Sequence, residues 1–413
     1  MGCQYCESKN KNNPPQNQHR DAISDDGYQP LNIPNQNQIK QNKTKKSEQL
    51  ITPTPDPENL IDEPQIGPQN VKSPSFSSDV KNSNNDGERI SQVSSVKNNP
   101  TKKSQVSQVK INDFKMVNSI NAHDKIIVCM IELKNKSIVT GSYDNTIKIW
   151  DISNSHLEKL IQEEGKVFAL LEFEPNQLLA AVDKTPDNIQ EISQIKSDDI
   201  VIHCFNLNST GGESTFSLTG HQLRVNSLVY CSDKFFASCS NDCNIIIWDF
   251  HFRKQAKVLR GHEDCILCMI RLNDGKLCSG GADMKIKIWD WENGNCVANL
   301  TGNTTFVKCL FELNNGYIIS GSQDNLIKIW DYNYQNLVDL EGHKKSVRSI
   351  CQIGTLNYIA SASFDHTIKI WDLNTNNCVQ TLTQHKSSVI NVIFHSDGYL
   401  ISCSNDKTIK IWK

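Results

Sequence analysis

Histidine, a hydroxyl residue and aspartate recur together in this sequence, and these are the residue types of a hydrolytic catalytic triad. In such a triad the imidazole takes the proton of the hydroxyl nucleophile, and the carboxylate orients the imidazole. The combination occurs five times and each copy ends in tryptophan: His123, Thr140, Asp144 and Trp150; His221, Ser238, Asp242 and Trp248; His262, Ser279, Asp283 and Trp289; His343, Ser361, Asp365 and Trp371; and His385, Ser402, Asp406 and Trp412. A nucleophile must be unique and exposed in a cleft, so five equal copies indicate a structural device, and we predict no catalytic residue.

The same side chains can form a buried relay of hydrogen bonds within each copy. The indole N–H donates to the hydroxyl, the hydroxyl bonds the imidazole and the imidazole bonds the carboxylate, so each group uses its bonding capacity. A sixth copy keeps Ser320, Asp324 and Trp330 but has Asn303 in place of histidine. We therefore expect six braced units, one of them incomplete.

The copies belong to a repeat of 41 residues. Tryptophan recurs at this interval from Trp248 onward, whereas the preceding gap, from Trp150, is 98 residues, which is two periods plus sixteen. The gap predicts a hidden repeat at Val167–Leu207, with Phe205 in the place of tryptophan and an inserted loop at 184–199. Because this second repeat has lost the relay, we expect it to be the least stable unit.

The apolar pattern within each repeat is that of β-strands. In segments such as Thr146–Asp151, β-branched residues alternate, and both strand faces are largely apolar because the intervening lysine has an apolar stem. A short sheet that is apolar on both faces needs a neighbour on each side, and a closed ring supplies one for every sheet. We predict an all-β fold, a seven-bladed β-propeller over residues 115–413.

The repeats resemble those of the WD40 family. Gly–His pairs begin several of them at Gly220, Gly261 and Gly342, Trp–Asp pairs end most of them, and the resemblance covers residues 115–413. It implies that the recurrent polar residues are structural tetrads and that the protein binds proteins or peptides, with no cofactor and no small-molecule substrate. The favoured role is a scaffold or adaptor, and the alternative is a regulatory or substrate-recognition subunit of an enzyme complex such as a ubiquitin ligase.

The last repeat stops at its third strand, at Lys413. Lys115–Ile120, just before the first histidine, has the alternation of a strand. The resemblance to WD40 propellers implies that such a segment closes the ring, so we expect Lys115–Ile120 to complete the seventh blade.

The resemblance also implies a partner-binding face. In propellers of this type, the loop entering each blade and the turn between its second and third strands lie on one face. The residue before each tetrad aspartate is expected there: Tyr143, Asn241, Ala282, Gln323, Phe364 and Asn405. Exposed aromatic residues at two of these positions, 143 and 364, would suit protein contacts.

A modest basic sector is expected on the same face. It consists of Lys344, Lys345, Arg348 and Lys386, and it suits an acidic or phosphorylated peptide. The loop 184–199 is also expected there, either as a partner-specific lid or as a tolerated surface loop.

The cysteines do not indicate a disulfide framework. Thirteen of the fifteen follow residue 114, and Cys129, Cys268 and Cys309 occupy matching repeat positions, as small buried hydrophobic residues would. Cys265 and Cys268 resemble half of a zinc site, but no second pair lies nearby, so we expect no metal.

Residues 1–114 contain no tryptophan and only four aromatic residues, and they are rich in Asn, Gln, Ser, Lys and Pro. Such a segment cannot bury enough apolar surface to fold, so we predict a long disordered N-terminal arm. The formal net charge of the chain is −3 and neither part is basic, so we expect no nucleic-acid partner. No run of 18 apolar residues predicts a membrane-spanning helix.

The sequence begins MGCQYCES. Gly2 fits N-myristoylation after removal of Met1, and Cys3 fits S-palmitoylation, although Cys6 stands where the motif has Ser or Thr. Two acyl chains hold a protein at a membrane stably, whereas one does not. We expect a cytoplasmic protein, attached to the inner face of a membrane if it is acylated. An unmodified terminus is the alternative.

Overall fold

The structure, a computed structural model, describes residues 114–186, 194–196, 198–355 and 357–413. Residues 1–113, where the disordered arm and the acyl sites Gly2 and Cys3 are predicted, lie outside this part, as do 187–193 of the inserted loop. The described residues form 28 β-strands and no α-helix. Accordingly, they provide no helix that is long and apolar enough to cross a membrane.

The strands of the described residues form seven antiparallel sheets of four strands, which we call blades 1 to 7 in chain order. Blade 1 consists of β2 (Ile127–Glu132), β3 (Ile138–Ser142), β4 (Thr146–Asp151) and β5 (His156–Gln162). Blade 2 consists of β6 (Lys166–Glu174), β7 (Gln177–Asp183), β8 (Ile200–Asn206) and β9 (Ser214–Thr219). Blade 3 consists of β10 (Val225–Ser232), β11 (Phe235–Ser240), β12 (Asn244–Asp249) and β13 (Lys254–Arg260). Blades 4 and 5 consist of β14 (Ile266–Arg271), β15 (Leu277–Gly281), β16 (Ile286–Asp290) and β17 (Asn295–Leu300); and β18 (Val307–Glu312), β19 (Ile318–Ser322), β20 (Ile327–Trp330) and β21 (Asn336–Leu340). Blades 6 and 7 consist of β22 (Val347–Gln352), β23 (Tyr358–Ser363), β24 (Ile368–Asp372) and β25 (Asn377–Leu382); and β26 (Val389–Phe394), β27 (Leu400–Ser404), β28 (Thr408–Trp412) and β1 (Met116–Asn121).

The blades close into a ring. The first strand of each blade contacts the first strands of its two neighbours, and β26 of blade 7 contacts β2 of blade 1. This arrangement confirms the predicted all-β, seven-bladed propeller.

Both faces of each sheet are buried against neighbouring blades. In β12, Ile245 and Ile247 join the apolar cluster shared with blade 4, whereas Ile246 and Trp248 join the cluster shared with blade 2. The alternation of a strand thus serves two interfaces, which is why the third strands of the repeats read as nearly continuous apolar runs.

The ring is completed by the strand that precedes blade 1. β1 runs antiparallel to β28, with Met116 opposite Trp412 and Ile120 opposite Ile409. The backbones of Lys115 and Lys413 exchange hydrogen bonds of 2.9 and 3.0 Å. The predicted closure of blade 7 is therefore present. Phe114, which the sequence analysis assigns to the arm, is buried in the cluster between blades 6 and 7.

Blade 2 contains the longest link between second and third strands. β7 ends at Asp183, β8 begins at Ile200, and residues 184–199 join them. The amide of Lys184 donates to the carbonyl of Asp199 over 2.8 Å and closes the base of the link. The described ends of the link, Lys184 and Asp199, lie on the same face as the corresponding short turns of the other blades.

Candidate functional site

The structure brings together the His, Ser or Thr, Asp and Trp side chains of five blades. In each, the tryptophan Nε1 lies 2.7–3.0 Å from the hydroxyl oxygen, and that oxygen lies 2.7–2.8 Å from the histidine Nε2. The histidine Nδ1 lies 2.8–2.9 Å from the carboxylate. Since a carboxylate only accepts, Nδ1–H is the donor to it, and the hydroxyl, already accepting from the indole, donates to Nε2.

The side chains of each tetrad form their hydrogen bonds within their own blade. The five hydroxyl residues have 0 % exposure, so none can reach a substrate as a nucleophile. The five sets lie in five different sheets and do not converge on one cleft. Their geometry is that of internal bracing.

The aspartates are held as carboxylates. Burial by itself raises the pKa of Asp406, but the hydrogen bond and charge of His385, with further donors from Thr408 and the Lys386 amide, outweigh it and keep this pKa well below its usual range. The pKa of His385 is lowered, because burial outweighs the opposing effect of Asp406. A neutral imidazole between a hydroxyl and a carboxylate is the state that the relay requires.

Blade 5 lacks this relay in part. Trp330 Nε1 still donates to Ser320 over 2.9 Å, but Asp324 accepts instead from Thr304 Oγ1 over 2.6 Å and from Ser322. Both carboxamide atoms of Asn303 are buried with no hydrogen-bond partner among the described residues. The shorter amide does not replace the imidazole.

Blade 2 has a different polar pair in its place. Glu163 stands at the histidine position, Ala180 at the hydroxyl position and Phe205 at the tryptophan position. The Glu163 carboxylate, 4 % exposed at its side chain, lies 3.0 Å from Nδ1 of His203, which occupies the lysine position two residues before the missing tryptophan. This pair was not predictable from the repeat pattern, because its members replace two different consensus residues. The stability of blade 2 relative to the others stays a prediction.

We call the face that carries the loops entering each blade and the turns between second and third strands the entry face. Tyr143, Asn241, Gln323 and Asn405 are half-buried in these turns, and Lys344, Lys345 and Lys386 are exposed in the entering loops, with Arg348 half-buried at the start of β22. The structure thus places the basic sector and four of the turn residues where a partner can reach them.

The expectation of two exposed aromatic residues is wrong for Phe364. This ring is only 9 % exposed, and the Arg348 guanidinium lies 5.1 Å from its centre. Tyr143 is half-buried, because its ring packs edge-on against Phe168 of blade 2 at 5.2 Å. The Phe364 ring is thus covered by an arginine of its own blade, and the Tyr143 ring by the first strand of the next blade.

Cation–aromatic pairs recur on the entry face, and the sequence analysis did not detect them. Arg224 lies 4.6 Å from the ring centre of Phe168, and Lys308 lies 5.2 Å from that of Phe306. These residues lie just before the first strands or within their first three positions. A comparison of those positions across the repeats would have revealed the pattern.

Residues that join neighbouring blades also escaped the sequence analysis. A residue at or near the end of several first strands accepts a hydrogen bond from a backbone amide of the preceding blade: Glu172 from Lys134 at 2.7 Å, Glu312 from Asn273 at 2.7 Å, and Gln352 from Asn314 at 2.9 Å. The shared repeat position was the available signal.

Nine of the thirteen described cysteines are buried and two are partly buried, whereas Cys296 and Cys378 are exposed. Burial raises the pKa of Cys129 and of Cys309 to about 12, so both remain thiols. Within the described part of the chain, no group of three or more His, Cys, Asp or Glu side chains could hold a metal ion.

Comparisons with known proteins give two findings. A family model described as "WD domain, G-beta repeat" matches residues 114–151, 212–249, 253–290, 294–331, 334–372 and 376–413. Within the propeller, the longest stretch that it does not match is 152–211, which contains β6, β7 and β8 of blade 2. The chain is also similar to a CCR4-associated factor 4 homolog of Vanderwaltozyma polyspora, at 25% identity over 38% of this chain, and it spans 27% of the length of that relative.

Proposed function

Because this chain belongs to the WD40 repeat family, we propose that it is a non-catalytic scaffold or adaptor that binds proteins or peptides through its entry face. A WD40 propeller supports a protein-interaction role. One contrast carries the proposal: the tetrads repeat from blade to blade, whereas the residue before each tetrad aspartate changes from Tyr143 to Asn241, Gln323 and Asn405. The repeated tetrads hold the blades in place, and the varied turn residues of the entry face are available to recognise a specific partner.

Affinity purification of the full chain with quantitative mass spectrometry tests this proposal. The double variant Lys344→Glu and Lys386→Glu reverses two exposed charges of the basic sector, and partners that bind there are expected to be lost. The matched control is Lys134→Glu and Lys234→Glu, which changes exposed lysines in turns at the opposite end of the blades. A partner set that is identical for both double variants and the wild type would refute binding through the basic sector. Recovery of ubiquitin-ligase components would favour the substrate-recognition role instead.

We also propose that the N-terminus attaches the protein to the cytoplasmic face of a membrane, through myristate on Gly2 and palmitate on Cys3. The proposal depends on the residue types at positions 2 and 3. Labelling with a clickable myristate analogue is expected to mark the wild type and the Cys6→Ser control, and to be abolished in Gly2→Ala. Absence of label from the wild type would rule out the anchor, and the scaffold proposal would stand without it.

A further inference from the structure

A recess opens between blades 1 and 2, away from the axial residues of the entry face. Its volume is about 470 Å³, and its lining includes the polar residues Gln162, Glu163, Glu164, Lys184, His203, Glu213 and Ser214.

The loss of the tetrad in blade 2 explains why space exists there. In complete blades the indole fills the region beside the Gly–His pair: a Cβ at Gly220 would lie 3.0 Å from Cη2 of Trp248. In blade 2, Phe205 lacks the second ring of an indole and Ala180 lacks a hydroxyl. The volume that bracing occupies elsewhere is therefore available to a ligand.

The charges of the lining define which ligand fits. Three carboxylates, those of Glu163, Glu164 and Glu213, face one ammonium and one imidazole. Lys184 pairs with Glu164 over 2.7 Å and His203 with Glu163 over 3.0 Å, whereas Glu213 is exposed and has no cationic partner among the described residues. A cation placed in the recess would gain a charge-assisted hydrogen bond to Glu213.

Gln162 supplies a further acceptor. Its Nε2 donates to the carbonyls of Asn145 and Glu163, both at 3.1 Å, which fixes the amide and leaves Oε1 as an acceptor. A flat guanidinium group with several donors can use a carboxylate and an amide oxygen together.

We propose that this recess binds the basic side chain of a protein partner, an arginine in preference to a lysine. The site results from the degeneration of one repeat, and it does not depend on the basic sector of the entry face. The double variant Lys344→Glu and Lys386→Glu is therefore expected to leave arginine binding in this recess unchanged, even if it loses partners of the basic sector.

Titration of the full chain with N-acetyl-arginine amide, followed by ligand-observed NMR, tests the proposal. N-acetyl-citrulline amide has nearly the same shape without the charge, and it is expected to bind about tenfold more weakly, a difference of about 1.4 kcal/mol, because it cannot form the charge-assisted hydrogen bond to Glu213. Equal binding of the two probes, or no saturable binding of either, would overturn the proposal.

Two glutamate variants locate the binding. Glu213→Gln removes an exposed carboxylate and is expected to weaken the arginine probe about fivefold to tenfold. Glu341→Gln removes an exposed carboxylate outside the recess and is expected to leave the affinity unchanged. An arginine affinity that is insensitive to Glu213→Gln would place the probe elsewhere and refute the site.

Discussion

The aspartate of each tetrad accepts from several donors at once. Asp283, with a side chain 3 % exposed, accepts from His262 Nδ1 at 2.8 Å and from the amides of Glu263 and Lys285 at 3.1 Å. Asp283→Ala is expected to lower the free energy of unfolding by more than about 2 kcal/mol, since it leaves these donors without an acceptor. Urea unfolding measures the loss. In the control, Asp397→Ala removes the partner of exposed Lys136 and is expected to cost at most about 0.5 kcal/mol. A loss below about 0.5 kcal/mol for Asp283→Ala would contradict the bracing role.

The incomplete relay of blade 5 gives a prediction in the opposite direction. In the other five copies an imidazole joins the hydroxyl residue to the aspartate. Asn303→His supplies this imidazole in blade 5, between Ser320 and Asp324. We expect an increase of about 1 kcal/mol in the free energy of unfolding, because buried polar atoms without partners are replaced by a hydrogen-bonded ring. His262→Asn in blade 4 is the reciprocal control and is expected to destabilise. A lower unfolding midpoint for Asn303→His would show that blade 5 cannot accept the ring.

Glycines in three second strands are matched to cysteines opposite them. A Cβ at Gly321 would lie 2.6 Å from Cys309 Sγ and 2.7 Å from Cγ1 of Val347 in blade 6. Blade 6 has Ser349 opposite Ala362 at the same positions. The larger cysteine thus faces a glycine in blade 5, whereas the smaller serine faces an alanine in blade 6.

Gly321→Ala is therefore expected to cost about 1–3 kcal/mol by overpacking. The double variant Cys309→Ser with Gly321→Ala reproduces the pair of blade 6 and is expected to recover part of this loss. Thermal unfolding compares the two. If the single variant matches the wild type, or the double variant recovers nothing, the two positions are not coupled through packing.

At the scale of the strand, β1 closes the ring. It is the fourth strand of blade 7, hydrogen-bonded along β28 although the two are far apart in sequence. Without it, the edge of β28 is unpaired and the cluster that contains Ile120 and Ile409 is opened.

Deletion of residues 1–122 is expected to lower the melting temperature sharply, whereas deletion of residues 1–110 is expected to leave it nearly unchanged. Calorimetry of the two shortened chains beside the full chain measures the difference. Equal melting temperatures for the two deletions would mean that β1 does not stabilise the closed ring.

At the scale of the whole molecule, repeated bracing makes stability depend on pH. Burial lowers the pKa of His123 and of His385, although their aspartates oppose it. The pKa values of Asp365 and Asp406 are also lowered, because hydrogen bonds from their histidines and threonines outweigh burial. In both cases the unfolded chain binds protons more readily than the folded chain.

Stability is therefore expected to be complete above about pH 6.5, to decrease below it as the histidines protonate on unfolding, and to decrease further below about pH 4 with the carboxylates. Melting temperatures measured from pH 8 to pH 3 test this order. His385→Gln is expected to flatten the upper part of the decrease. A melting temperature that rises between pH 7 and pH 5 would contradict neutral buried histidines.

The repeating features of the molecule were predictable from the sequence. A period of 41 residues between tryptophans, with alternation inside each repeat, indicated the seven blades, because six of them consist of strands that follow one another in the sequence. The closing strand followed from the resemblance to WD40 propellers, since β1 and β28 are far apart in the sequence. The same period identified the tetrads, since their members recur at fixed positions on adjacent strands.

The features that depend on one blade meeting the next were decided only by the tertiary structure. The Tyr143 ring of blade 1 packs against Phe168 of blade 2, and Glu312 accepts a hydrogen bond from the Asn273 amide of the preceding blade. The residues that cover or complete these groups are contributed by the packing of whole strands and sheets. Exposure and charge pairing at the blade interfaces follow from how the sheets are spaced around the axis, and a periodic pattern does not encode that spacing.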